Sequence, residues 1–190
     1  MRSYLKSSSL KTAHLKTIGL ILSLVVGATA TPLTTPANAY LQEGWFHLRG
    51  TVRDENGGGA LRALDITRKD GEVGHFLKLN STLYAKDSQL WRERYQRQGS
   101  IDVIRLQNKE TGLCIAHSGL NAIASLEDCT SGTTLWQKIP MSDHRVVLRT
   151  EVNGATKCLG KESAYPGLPV ILDCSNGWTD KMVWQAYVSG

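Results

Sequence analysis

Apolar residues in this chain come in short bursts. From residue 101 onward they read VIRL, CIAH, AIASL and LWQKI, then RVVLRT, KCLG, PVILDC and MVWQAYV. Gly, Asn, Asp, Ser and Thr fill the gaps, as in NKETG, HSGLN and EDCTSGT. Apolar or alternating runs of this length, bounded by turn residues, predict strands. No helical run of ten or more interrupts them. NGGG at 56–59 and SDH at 142–144 read as turns or joints between strands.

The bursts recur in a longer frame. Three tryptophans, Trp91, Trp136 and Trp184, stand in QLW, TLW and MVW, at intervals of 45 and 48 residues. Upstream of Trp184 lie CLG and PVILDC; upstream of Trp136 lie CIA and AIASLEDC. Upstream of Trp91 lie ALD at 63–65 and HFLKLNS at 75–81. The first unit keeps the frame without cysteine, with Ala63 in the place of Cys158 and Ser81 in the place of Cys174. Three units of about 45 residues, with four short strands each, predict a closed or nearly closed all-β body. Repetition and closure together remove exposed strand edges.

The chain has four cysteines, at the ends of two look-alike segments, 114–129 and 158–174. Four cysteines allow three connectivities. The spacing favours local pairs, Cys114–Cys129 and Cys158–Cys174. Each closes a loop of about 15 residues and stabilises by roughly 3 kcal/mol in the chain-entropy model. Zinc fits poorly, because there is no C-x-x-C and no nearby paired His. No cysteine is left over for a catalytic thiol.

The N-terminus sets the compartment. Arg2, Lys6, Lys11 and Lys16 precede an apolar stretch at 18–30, and ANA at 37–39 is an A-x-A cleavage pattern. The apolar stretch is short for a membrane span, which needs about 20 residues. Residues 1–39 therefore read as a secretory signal peptide. The protein is expected outside the cytoplasm, extracellular or periplasmic, with no transmembrane segment, where disulfides persist. Residues 40–59 form an N-terminal segment with a first strand, and 60–190 the repeated body. The leader also explains the charge. It holds four of the 22 basic residues and none of the 17 acidic ones, leaving a net charge of about +1 beyond it. That balance gives no reason to expect direct nucleic-acid binding.

Three repeats with a Cys–Leu/Ile start, a D-C close and a terminal Q-x-W-like tryptophan resemble the ricin B-chain type β-trefoil. The resemblance covers about residues 60–188. It implies that Trp91, Trp136 and Trp184 are core residues. It also implies a sugar site per unit: an Asp two positions after the first Cys position, a ring shortly before the second, and the Q of Q-x-W. Sugars present many hydroxyls and few apolar faces, so this mix suits them. In the first unit Asp65 and Gln89 match, making them the candidate carbohydrate-binding pair. Leu79 or a neighbour holds the ring position, with Phe76 and Tyr84 as substitutes. The second unit has Ala116, Glu127 and Thr134; the third has Gly160, Leu172 and Met182. Both have lost the sugar pattern.

More specifically the chain resembles the A and C subunits of cytolethal distending toxins, ricin-like trefoils with eroded sugar motifs, and the stretch from WRERY to SLEDC is similar to the corresponding part of the A subunit. That likeness implies a delivery subunit that meets a cell-surface glycan or glycoprotein and carries partner subunits, including a nuclease. It implies no catalysis, no cofactor and no metal. G-x-S-x-G, H-E-x-x-H and P-loop patterns are lacking. Asp128 and Asp173, each before a cysteine, read as strand-end residues. NST at 80–82 is a sequon read as unused. Trp178, in the loop after Cys174, is a candidate contact residue. The alternative is a trefoil interaction scaffold whose sugar sites are gone.

Overall fold

A computed structural model describes residues 44–53, 56, 58–83, 85–98, 101–117, 119–162 and 167–188. The leader reading at 1–39 and Tyr84 lie outside these residues. Twelve strands follow in order, interrupted only by three single-turn 3₁₀ helices among the described residues. The first unit holds β1 (Phe46–Arg53), β2 (Gly59–Lys69), β3 (Glu72–Asn80) and β4 (Leu90–Gln98). The second holds β5 (Ile101–Asn108), β6 (Cys114–Ala116), β7 (Ser125–Glu127) and β8 (Gln137–Pro140). The third holds β9 (Arg145–Val152), β10 (Ala155–Lys161), β11 (Pro169–Asp173) and β12 (Val183–Tyr187).

The first and last strand of each unit close a ring. β1 pairs with β4, β4 with β5, β8 with β9, β9 with β12, and β12 back with β1. A bridge between Ile104 and Trp136 joins β5 to the start of β8. β1 belongs to this ring, so the closed body takes in Phe46–Arg53 from the 40–59 segment. The middle strands form three hairpins, β2–β3, β6–β7 and β10–β11, which gather at one end. Leu77 N donates to Ala124 O at 3.1 Å and Ala124 N donates to Pro169 O at 2.8 Å, tying hairpin to hairpin. Asp70-Gly71 and Asn153-Gly154, all at positive φ, make the two-residue turns between β2 and β3 and between β9 and β10. Asp-Gly and Asn-Gly suit such turns because both central residues need left-handed backbone.

The core repeats with the chain. Phe46, Ile104 and Val146 stand opposite Trp91, Trp136 and Trp184 in the three units. Leu48, Leu106 and Leu148 follow two residues on, and all nine are buried. Each indole finds a hydrogen-bond acceptor at the same place. Nε1 of Trp91 donates to Leu64 O at 3.1 Å, that of Trp136 to Ile115 O at 2.9 Å, and that of Trp184 to Leu159 O at 2.8 Å. A buried tryptophan therefore fixes both its hairpin and the barrel beneath it.

Candidate functional site

Each unit builds one equivalent location. A hairpin supplies two positions, and a 3₁₀ turn ending just before the tryptophan strand supplies the third. The turns are Asp87–Gln89, Gly132–Thr134 and Asp180–Met182, so Gln89, Thr134 and Met182 are their last residues. Strand register fixes the other positions. Cys114 faces Glu127 and Cys158 faces Leu172, each two residues before the second cysteine. In the first unit Ala63 faces Asn80. The ring position is therefore Asn80 and the second-cysteine position Thr82, one residue beyond the Leu79 and Ser81 of the sequence alignment. Without a cysteine to mark it, that frame had nothing to pin it. Leu79 points into the core instead.

In the first unit the location is polar and sealed. Asp65, on β2, has 0% exposure. Its Oδ2 accepts hydrogen bonds from Lys86 Nζ at 2.8 Å, Asn80 Nδ2 at 3.2 Å and Gln89 Nε2 at 3.2 Å. Gln89 also donates to Ser81 O at 2.9 Å and accepts from Leu83 N at 2.8 Å. Burial pushes the Asp65 carboxyl up, but Lys86, then Ser88, Gln89 and Asn80, hold it below its ordinary 3.8. The aspartate is thus an anion at neutral pH. Its other oxygen, Oδ1, is buried, and among the described residues no hydrogen bond of ordinary geometry reaches it. Ser88 Oγ helps lower the pKa without meeting that geometry. Lys86 has a side chain 35% exposed and forms the only part of the ion pair open to solvent. Nothing in YAKDSQLW distinguishes Lys86 from an ordinary turn lysine, so sequence reasoning missed it. Phe76 is exposed but lies four residues along β3 from Asn80, about 13 Å at the rise of a strand. It does not occupy the ring position.

The second unit spends its polar groups on itself. Thr134 Oγ1 accepts from Arg105 Nε at 3.0 Å, and Glu127 accepts from the Ser131 and Thr133 hydroxyls. Ala116 is buried and brings no acceptor side chain. The third unit is apolar. A Cβ on Gly160 would lie 2.4 Å from Leu172 Cδ1, so the leucine fills the place of an aspartate side chain. Met182 completes a small cluster with Cys158, Cys174 and Val147.

The remaining candidates fall into place around this frame. Disulfides join Cys114 to Cys129 and Cys158 to Cys174, with Cα–Cα distances of 5.0 and 5.9 Å. Asp128 Oδ1 accepts from the amide and hydroxyl of Thr130, and Asp173 Oδ1 does the same with Ser175. These two turns close the loops behind the cysteines, and the same bonds lower both carboxyl pKa values. Trp178 is 43% exposed. Among the described residues, no group of His, Cys, Asp and Glu is arranged to hold a metal, and no helix is long and apolar enough to cross a membrane.

No protein-family model and no curated relative matches the chain. Solved structures do. A designed threefold-symmetric protein, ThreeFoil, aligns over 77% of this chain and 100% of its own, at TM-score 0.56 and 19% identity. The fold is a β-trefoil. The BEL β-trefoil aligns over 78% of this chain and 94% of its own, at TM-score 0.52 and 14% identity. A chain of the Haemophilus ducreyi cytolethal distending toxin aligns over 74% of this chain and 82% of its own, at TM-score 0.52 and 13% identity. At these identities the trefoil architecture is what is shared. Function has to be argued from the residues.

Proposed function

We propose that this trefoil is an exported, non-catalytic recognition module of ricin B type that binds a cell-surface glycan or glycoprotein through its first unit. The observation that carries the reading is the Asp65–Gln89 pair, 3.2 Å apart at the floor position, under a lysine that reaches solvent. An ionised carboxylate accepts hydrogen bonds from two vicinal hydroxyls more strongly than any neutral group there. The reading requires Lys86 to swing outward and uncover Asp65, with Asn80 and Gln89 remaining as its anchors. The resemblance to toxin A and C subunits extends the reading to delivery of partner subunits, including a nuclease.

The test is a glycan array with the oxidised full chain beside an Asp65→Asn variant of matched fold. Binding by the wild type that Asp65→Asn abolishes supports the reading. Glycan binding that survives in Asp65→Asn overturns it. A second reading, a protein-interaction scaffold, is favoured by one observation: Asp65 has no exposed surface, while Trp178 on the disulfide-anchored loop does. Loss of partner-subunit binding in Trp178→Ala, with an empty glycan array, selects that reading.

A further inference from the structure

The three units meet at three seams, and the chain fills them differently. At each seam the 3₁₀ turn of one unit faces the first strand of the next. Between the first and second units, Asn108 Nδ2 donates to Ser88 O at 3.0 Å and Leu90 O at 3.3 Å. Beside it Lys109 pairs with Asp87 at 2.8 Å, so charge is balanced. Between the third unit and the first, the position of Asn108 is held by Gly50 and that of Lys109 by Thr51. Here Lys161 crosses from β10, and its Nζ donates to Asp180 O at 2.8 Å and Val183 O at 2.7 Å. A Cβ on Gly50 would lie 2.5 Å from Lys161 Cδ, so the glycine makes room for the lysine stem.

Carbonyls of the 3₁₀ turn are thus capped by a neutral amide at one seam and by a buried cation at the other; Leu90 and Val183 are equivalent acceptors, and the second acceptor moves from Ser88 to Asp180, the counterpart of Asp87. An amide suffices for the cap, and burying a charge is costly without a counter-charge. An ammonium also has three donors, and among the described residues two acceptors reach this one. Lys161 is 3% exposed and Arg49 7% exposed. Both line a cleft of about 400 Å³ together with Arg145, Lys181 and, among the described residues, a single carboxylate, Asp180. Arg145 also touches Asp143 at 3.4 Å on the rim, and Arg49 stacks on Tyr187 at 3.9 Å. The equivalent seam between the second and third units has His117, Thr133, Thr150 and Glu151 in the places of Lys161, Lys181, Gly50 and Thr51. It keeps one arginine, Arg149 in the place of Arg49, which donates to Gln137 Oε1 at 2.6 Å. Cleft walls of one sign focus the field and concentrate counter-ions.

We propose that the seam between the third and first units binds an oxyanion, a sulfate or carboxylate, carried on an acidic glycan. The proposal rests on the glycan-binding reading above and names a second contact for the same ligand class. The arginines offer planar donors suited to such groups, and Lys161 supplies a buried donor at the cleft floor. Burial depresses Lys161 to about 8 in spite of Asp180. A bound anion raises that value, so binding takes up a proton. Affinity is full below about pH 8 and falls as pH rises above it. The charged groups facing Lys161 are Asp180 and Lys181 on the 3₁₀ turn, Arg49 on β1 and Arg145 on β9.

Calorimetric titration of the oxidised full chain with sialyllactose, sulfated lactose, neutral lactose and inorganic sulfate tests it. Arg145→Gln/Lys181→Gln is the informative variant, because both side chains are exposed and its melting temperature checks the fold. The expected result is acidic-sugar binding that weakens roughly tenfold or more in that variant. It comes with uptake of about half a proton at pH 8. Inorganic sulfate competing with the acidic sugar, in the wild type and not in the variant, places the oxyanion in this cleft. Acidic sugars bound equally by wild type and variant overturn the proposal and leave the glycan reading standing. Failure of the wild type to bind either acidic sugar also overturns it; only failure on neutral glycans as well overturns both.

Discussion

The first and third units put opposite chemistry into one place. In the first, a buried aspartate is held by a lysine, an asparagine and a glutamine. In the third, Gly160, Leu172 and Met182 fill the same positions, and a disulfide ties the hairpin behind them. Both solve the same problem, holding a hairpin and a 3₁₀ turn together over a tryptophan. The third unit does it with apolar contact and a covalent staple. The first does it with charge-assisted hydrogen bonds and no disulfide. A buried ion pair is not a cheap route to stability, since well-packed apolar residues often do as well or better. The proposed recognition role gives the first unit's ion pair a use that packing alone does not.

The comparison breaks most sharply if the first unit's aspartate is moved into the third. Gly160→Asp forces a side chain into Leu172 and buries a charge without a partner. It is expected to cost at least about 4 kcal/mol in urea unfolding. Adding Leu172→Asn and Met182→Gln supplies the first unit's partners and recovers part of that loss. Removing the staple instead, as Cys158→Ala/Cys174→Ala, is expected to cost about 3 kcal/mol by the same measurement. Lys86→Met takes the counter-ion from Asp65 and leaves Asn80 and Gln89. With the lysine partly exposed, about 2 kcal/mol is expected at neutral pH. Asp65 has a depressed folded pKa, so its contribution is full above 3.8 and lost as pH falls below it. Urea midpoints between about pH 3 and pH 5 should therefore drop with acid in the wild type and drop less in Lys86→Met. Trp178→Ala should change stability least, within about 0.5 kcal/mol, because its ring is largely outside the core.

Much of this was legible in the sequence. The tryptophan spacing and the repeated cysteine segments predict three units of four strands, because each feature does one structural job at one fixed offset. Asp65 and Gln89 emerge from the same frame, and the fold brings them together. What was not legible depends on distant residues. The one-residue shift at Asn80 follows from β3 register, which no cysteine marks in that unit. Nothing in the local sequence marks Lys86 or Lys161, yet one is pulled to a buried carboxylate and the other through space left by Gly50. Burial of a long polar side chain is set by what faces it, and local pattern does not carry that information. Phe76 shows the reverse: three residues from Leu79 in sequence, it is about 13 Å along the strand from the ring position at Asn80.

The most direct test of the account is the affinity of Lys86→Ala for a glycan that the wild type binds. If the ligand reaches Asp65 by displacing this lysine, Lys86→Ala binds more tightly than the wild type, and adding Asp65→Asn abolishes binding. If Lys86→Ala binds with unchanged affinity, or the double variant still binds, Asp65 is a structural anchor and the first unit is not the recognition site.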